Sequence, residues 1–186
     1  GVYTVSTAAI PLLREQGGGL VVQFSSVGGR VGGSPGIGSY QAAKFAVDGF
    51  SRVLAAETAP FGVRVMVVEP SGFATDWAGS SMGVDDIPAD YEQTVGAMGA
   101  MRGTRVMAGD PVRAAEILVR VAHADEQPSH LLLGRTAQAM AIDYSERQLE
   151  EARAWSDVSI SADSGEEYPV PLPGEEYPVP LAGEVR

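Results

Sequence analysis

Three residues in this chain carry side chains suited to moving a proton at an oxygen atom, and their spacing puts them within reach of one another. Tyr40 and Lys44 stand four residues apart at the start of a helical pattern. Side chains at i and i+4 share one helix face, a turn apart. Ser26 follows the apolar run Leu20 to Phe24, which ends in two serines. If that run is a strand of an open α/β sheet, Ser26 lies at the carboxyl edge, where such sheets hold ligands. A hydroxyl, a phenol and an ammonium converging there suit chemistry on a carbonyl or an alcohol. A free tyrosine has a pKa of about 10 and is a poor base at neutral pH. Lowering it by about three units takes roughly 4 kcal/mol of differential stabilisation, much of which a neighbouring cation can supply. Lys44 is the only lysine in a chain with twelve arginines, which suggests that a compact ammonium is needed there rather than a planar fork. Taken singly, Tyr40 also reads as an ordinary amphipathic residue and Ser26 as a strand-end cap.

The elements needed to position these residues can be read in order. Gly1 to Gln16 places Val2, Val5, Ala9, Leu12 and Leu13 near helical spacing, with Pro11 expected to bend or shorten that helix. Gly17 to Gly19 turn the chain into the strand Leu20–Phe24, whose continuous apolar character fits a strand covered on both faces. A helix is expected from Ser39 to about Ala59, broken by Pro60-Phe61-Gly62, and then a second buried strand, Val63–Val68. Asp110-Pro111 reads as an N-cap and first helical position for a helix to about His123. A short strand, Leu131–Leu133, and a last helix, Thr136–Trp155, complete the pattern. Residues 76–109 look irregular and too long for a tight connection, and we expect a substrate lid there.

Composition narrows the partners. The chain has 186 residues, 45% of them hydrophobic, enough for one core of ordinary domain size. A net charge of −11 argues against nucleic acid and anionic membrane, which call for a basic face. Residues 1–142 carry 13 acids against 10 bases, and residues 143–186 carry 11 against 3, so the acidity gathers towards the C-terminus. The absence of cysteine excludes disulfides and thiolate metal sites and is compatible with a reducing cytoplasm. No apolar run approaches the roughly 20 residues of a membrane-spanning helix, and no signal peptide is visible. The chain starts at Gly1 already inside a helical pattern, so a fragment is expected. Residues 161–186 form an acidic, Pro-rich tail in which Glu-Glu-Tyr-Pro-Val-Pro-Leu occurs twice. Disorder or polyproline II is expected there, with a docking peptide as the less favoured reading.

Ser26, Tyr40-Gln-Ala-Ala-Lys44 and, after the next strand, Glu69-Pro-Ser-Gly-Phe-Ala-Thr75 together resemble the catalytic half of the short-chain dehydrogenase/reductase family. A lone Y-x-x-x-K is weak, but the ordered conjunction of strand-Ser, Y-x-x-x-K and strand-P-x-G-x-x-T is specific. The resemblance implies a three-layer α/β/α fold, a partial Rossmann-type doubly wound parallel sheet, over residues 1–160. It also implies an NAD(P)-dependent oxidoreductase that interconverts an alcohol and a ketone or aldehyde. In that reading Tyr40 is the general acid/base, Lys44 tunes it and binds the nicotinamide ribose, and Ser26 orients the carbonyl. Pro70, Gly72, Phe73 and Thr75 would line the cofactor, NAD or NADP, with Phe73 backbone groups against the carboxamide. A homodimer or homotetramer through the Tyr40–Ala59 helix and the first helix is a further implication.

The sequence departs from the family pattern in three ways. The Ser26-to-Tyr40 interval is one residue longer than usual, so either the loop bulges or the role of the serine shifts. Ser71 stands where the family has glycine, and the fingerprint that cradles the pyrophosphate is missing. As given, the chain is not expected to hold a dinucleotide tightly. Gly32 to Gly38 match the fingerprint's spacing but trail the strand and run into Tyr40, so they read as a flexible wall of the substrate pocket. His123 and His130 read as surface residues without metal-ligand company, and no metal site is expected. The competing reading is a truncated, non-catalytic family remnant that serves in interaction or regulation.

Overall fold

The fold was analysed in a computed structural model, which describes residues 1–75, 86–104 and 107–175. The chain divides into two compact units, residues 1–141 and 142–186. In the first, α1 (Val2–Glu15) leads through a glycine turn into β1 (Gly19–Phe24). A short helix α2 (Gly28–Val31) and the long α3 (Gly38–Thr58) follow, then β2 (Val63–Pro70). Beyond β2 the described residues form a 3-10 turn (Ala89–Tyr91), a π-helical turn (Glu92–Gly96), α4 (Ala97–Thr104), α5 (Pro111–Ala122) and β3 (His130–Leu133). Helix α6 (Arg135–Ala154) crosses the boundary between the units, and α7 (Ser156–Ile160) belongs to the second.

The three strands form one parallel sheet in the order β1-β2-β3. Gly19 pairs with Val63 at one end of the β1–β2 ladder and Phe24 with Val68 at the other, while Val67 to Pro70 pair with His130 to Leu133. Two glycine turns set this register. A Cβ on Gly18 would lie 2.6 Å from the Gly62 carbonyl oxygen, and Gly18 itself sits at φ +135°. Only glycine lets the two turns close so tightly, and the Gly19 amide then donates to Gly62 O at 3.1 Å. β2 is central, so both its faces are covered. Met66 and Val68 are wholly buried and pack with Leu133, Leu20, Val22 and the α5 residues Ala114, Leu118 and Val121. Full burial of such side chains is worth about 1.5–3 kcal/mol each. By strand alternation Val63, Val67 and Glu69 point the other way. On that side Thr58 of α3 donates to Val63 O at 3.1 Å. The three-layer α/β/α arrangement is therefore present.

Helix starts and breaks follow local chemistry where the sequence signals them. Asp110 caps α5, accepting from the amides of Val112 at 2.9 Å and Arg113 at 3.3 Å, with Pro111 in the first position. Such a cap contributes about 1 kcal/mol. Pro11 does not shorten α1, which runs 14 residues through it. The carbonyl it deprives of a donor is that of Thr7, which lies on the exposed side where water can satisfy it. Residues 89–104 are not irregular but fold into three short helical pieces, in keeping with the Ala and Met residues of α4. The rest of the expected lid, residues 76–85 and 105–106, lies outside the described residues. In the second unit the first copy of the repeat has no helix or strand, and most of the second copy lies outside the described residues. No helix among the described residues is long and apolar enough to cross a membrane.

Candidate active site

The inward stripe of α3 reads Gln41, Lys44, Asp48, Ser51, Leu54 and Thr58, the spacing expected of one helix face. Lys44 comes down on the carboxyl end of β1, where its Nζ donates to Phe24 O at 2.9 Å. The same ammonium lies 5.8 Å from the centroid of the Tyr40 ring, within cation–π range. Desolvation lowers the Lys44 pKa from its ordinary value. Among the described residues its other two N–H donors meet no acceptor, a donor set that suits a vicinal diol such as a ribose.

Ser26 begins the turn after β1. Its Oγ accepts from the Gly28 amide at 3.1 Å, and its carbonyl accepts from the Gly29 amide at 2.8 Å. Ser26 Oγ therefore keeps its own O–H for another acceptor. Ser25 points the opposite way and is buried, its Oγ donating to Lys44 O at 2.8 Å. Between them α2 is pressed onto α3. A Cβ on Gly29 would lie 2.7 Å from Lys44 Cβ and 2.8 Å from the Lys44 carbonyl carbon. The turn after Ser26 also reaches β2, since the Val27 amide donates to Pro70 O at 3.1 Å.

The residues after β2 stand next to this turn. Gly72 and Phe73 are pinned from the far side: Gly109 N donates to Gly72 O at 3.1 Å and Ala74 N to Gly109 O at 2.9 Å, with Phe73 bridged to Gly109. Thr75 is exposed, its amide donating to Phe73 O at 2.8 Å. Ser71 is under no backbone strain, because no non-glycine residue has positive φ among the described residues. Its amide instead donates to Leu133 O at 3.0 Å. The structure thus brings Tyr40, Lys44 and the end of β1 together, and it links Ser26 to Pro70 through Val27. A shallow cleft of about 300 Å³, lined by Ala59, Gly62, Arg64 and Gln127, lies at the opposite, amino end of β2 and holds none of these residues.

Beneath the site runs a chain of charges that the sequence did not announce. Glu69, wholly buried, accepts from Arg30 Nε and Nη2 on a single oxygen, both at 2.9 Å. Asp48 accepts from Arg52 at 2.9 Å and is bonded to His130 Nε2 at 2.6 Å. Desolvation pushes the Asp48 carboxyl up, but the hydrogen bonds and charges of Arg52 and His130 together outweigh it and hold it below its ordinary value. The reading of His130 as a surface residue without metal-ligand company is therefore corrected. Its ring is 14% exposed, and Asp48, Glu69 and His130 bring ligand atoms within 4.8 Å of one another. Two of the candidate ligand atoms are engaged already, His130 Nε2 with Asp48 and Glu69 Oε2 with Arg30, while Glu69 Oε1 has no partner among the described residues. We read the group as ion pairing. His123 is exposed, its Nδ1 on Val119 O at 2.8 Å.

Known proteins share this frame. The short chain dehydrogenase family profile matches residues 1–83. An oxidoreductase of Botryotinia fuckeliana (strain B05.10), BOA17, is 42% identical over 166 residues, 87% of this chain and 60% of that protein. The chain resembles short-chain dehydrogenases in sequence and in fold. An uncharacterized oxidoreductase of Schizosaccharomyces pombe, C162.03, is 35% identical over 144 residues, 72% of this chain and 47% of the relative. The crystal structure of a short-chain dehydrogenase from Streptomyces avermitilis superposes with a TM-score of 0.75 at 30% identity, over 87% of this chain and 59% of that one. The chain spans about half to three-fifths of the length of the relatives it matches.

Proposed function

We propose that this protein is an NAD(P)-dependent oxidoreductase that interconverts an alcohol and a ketone or aldehyde. The observation that carries the reading is the Lys44 ammonium, seated between the Tyr40 ring and the carboxyl end of the strand that leads into Ser26. The oxidoreductase names of the relatives support an enzyme over a non-catalytic remnant. When bound, NAD or NADP supplies or accepts the hydride. Lys44 would hold the nicotinamide ribose with its two open donors, and Pro70, Gly72, Phe73 and Thr75 would border the ring.

In the reducing direction the Tyr40 hydroxyl gives its proton to the carbonyl oxygen, and in the oxidising direction it takes that proton back. Lys44 stabilises the phenolate left behind. The Ser26 O–H donates to the same substrate oxygen, fixing it and stabilising the charge that develops there. The substrate is a small alcohol or carbonyl compound. The reading extends to residues 76–109 as its lid, a cytoplasmic setting, and a dimer or tetramer through α1 and α3. Tyr3 and Phe50 bring those two helices side by side, ring centroids 5.5 Å apart, while Val5, Leu12, Phe45 and Val53 stay exposed.

Tyr40→Phe, made in the natural gene product, tests the mechanism. Turnover should fall by about 10²–10⁴ with cofactor affinity nearly unchanged. Near-normal turnover in that variant removes Tyr40 from the chemistry.

A further inference from the structure

Helix α2 sits between Ser26 and Lys44, yet little of its own sequence can hold it in place. It is four residues long, Gly-Gly-Arg-Val, and no side chain caps its start. A helix so short has paid for nucleation without any propagation to follow. It nevertheless touches both halves of the site. Gly28 donates to Ser26 Oγ, and Gly29 lies so close to Lys44 that no Cβ fits between them. Arg30, one residue on, reaches down to Glu69 on the central strand. That carboxylate has no exposed surface, and its Oε1 has no hydrogen-bond partner among the described residues. A buried ion pair with a bare oxygen is poor value for stability, because well-packed apolar residues usually serve as well or better. What such a pair does supply is a defined position.

We propose that Arg30 and Glu69 are positioning residues, a buried tie that fixes α2 against the central strand and so sets Ser26 and Lys44 at their working separation. The inference rests on the oxidoreductase reading for its kinetic arm only. Arg30 touches neither substrate nor cofactor in this account; it acts through the Gly28–Ser26 and Gly29–Lys44 contacts. Its guanidinium fork places two N–H groups on one carboxylate oxygen, which a lysine cannot reproduce.

The test uses the double variant Arg30→Met/Glu69→Leu, which removes both charges together and leaves no unpaired carboxylate. Arg30→Lys, which keeps Glu69 neutralised, carries the test if the double variant does not fold. Either variant of the natural gene product should lose about 10²-fold in kcat, the scale of a 1 Å misplacement. The KM for the cofactor should stay within a factor of about two of the parent value. Hydrogen exchange supplies a readout free of catalysis: the amides of Gly28 to Gly32 should exchange at least tenfold faster, with those of Met66 to Val68 unchanged. Unchanged kcat together with unchanged exchange at Gly28 to Gly32 overturns the tie. If Tyr40→Phe proves active while exchange at α2 still rises in the tie variants, the acid/base role of Tyr40 fails and the tie stands. If Tyr40→Phe is inactive and the tie variants keep full kcat, the positioning role alone is lost.

Discussion

Gly29→Ala is the substitution whose effect the structure defines most sharply. The added Cβ would lie 2.7 Å from Lys44 Cβ, 2.8 Å from the Lys44 carbonyl carbon and 2.5 Å from Ser25 Oγ. Two of those three atoms belong to the α3 backbone or its first side-chain atom, so no rotamer change relieves the overlap. Either α2 lifts away from α3 or the bond from Ser25 Oγ to Lys44 O breaks. Overpacking of this kind costs about 1–3 kcal/mol. For a chain of this size each kcal/mol lowers Tm by about 2–4 °C, so a drop of about 2–12 °C is expected. Gly38→Ala is the control. A Cβ there meets nothing within 4 Å and the residue begins a helix, so a stabilisation of about 0.4–1 kcal/mol is expected instead. Thermal and urea unfolding, monitored by circular dichroism on both variants and the parent, would separate the two. A Gly29→Ala protein as stable as the parent would show that α2 does not rest on α3 as described.

Two further outcomes follow from the charges and the helix surface. Because Asp48 is held below its ordinary value, it binds protons more weakly when folded than unfolded. The stability it contributes is then present above about pH 4 and is lost as pH falls through the lowered value. The parent should therefore exceed Asp48→Asn in urea stability by about 1–3 kcal/mol at pH 7, and the gap should narrow towards pH 3; a gap independent of pH would contradict the pairing. Gly49→Arg places a long cation on the outer side of α3, where nothing lies within 4 Å of the glycine's Cβ position. It should leave the fold intact and weaken the dimer or tetramer, and a parent protein that sediments as a monomer at micromolar concentration would refute that assembly.

The parts of this molecule that were readable from sequence are those fixed over a few residues. Tyr40 and Lys44 share a face because helix geometry requires it, and β1 and β2 announce themselves as largely apolar runs opened by glycine. The Asp110-Pro111 start of α5 is equally local. The Arg30–Glu69 tie joins residues 39 apart and the Asp48–His130 pair joins residues 82 apart. A charged residue on its own gives no sign of such a distant partner, so His130 reads as surface. Glycine-rich α2 is invisible for a related reason: its propensity opposes a helix, and tertiary contact overrides it. Pro11 misleads in the other direction, since the carbonyl it frees lies where water can reach it. One clue to Glu69 was present, an acid that directly follows the apolar run Val65 to Val68.

The solitary lysine has a practical consequence at the bench. Apart from the amino terminus, an acylating reagent has a single primary amine to find in this chain, and it is the one beside Tyr40. Desolvation lowers its pKa, so a larger share is the reactive free base at any given pH than for an ordinary lysine. Amine coupling to a dye or a sensor chip would therefore modify the site it was meant to report on, and protection from labelling by a bound nucleotide would read out occupancy directly. Within these 186 residues glutaraldehyde, the usual quick check for dimers, would have only Lys44 and the amino terminus to join, so for this chain a missing cross-link would be no sign of a monomer.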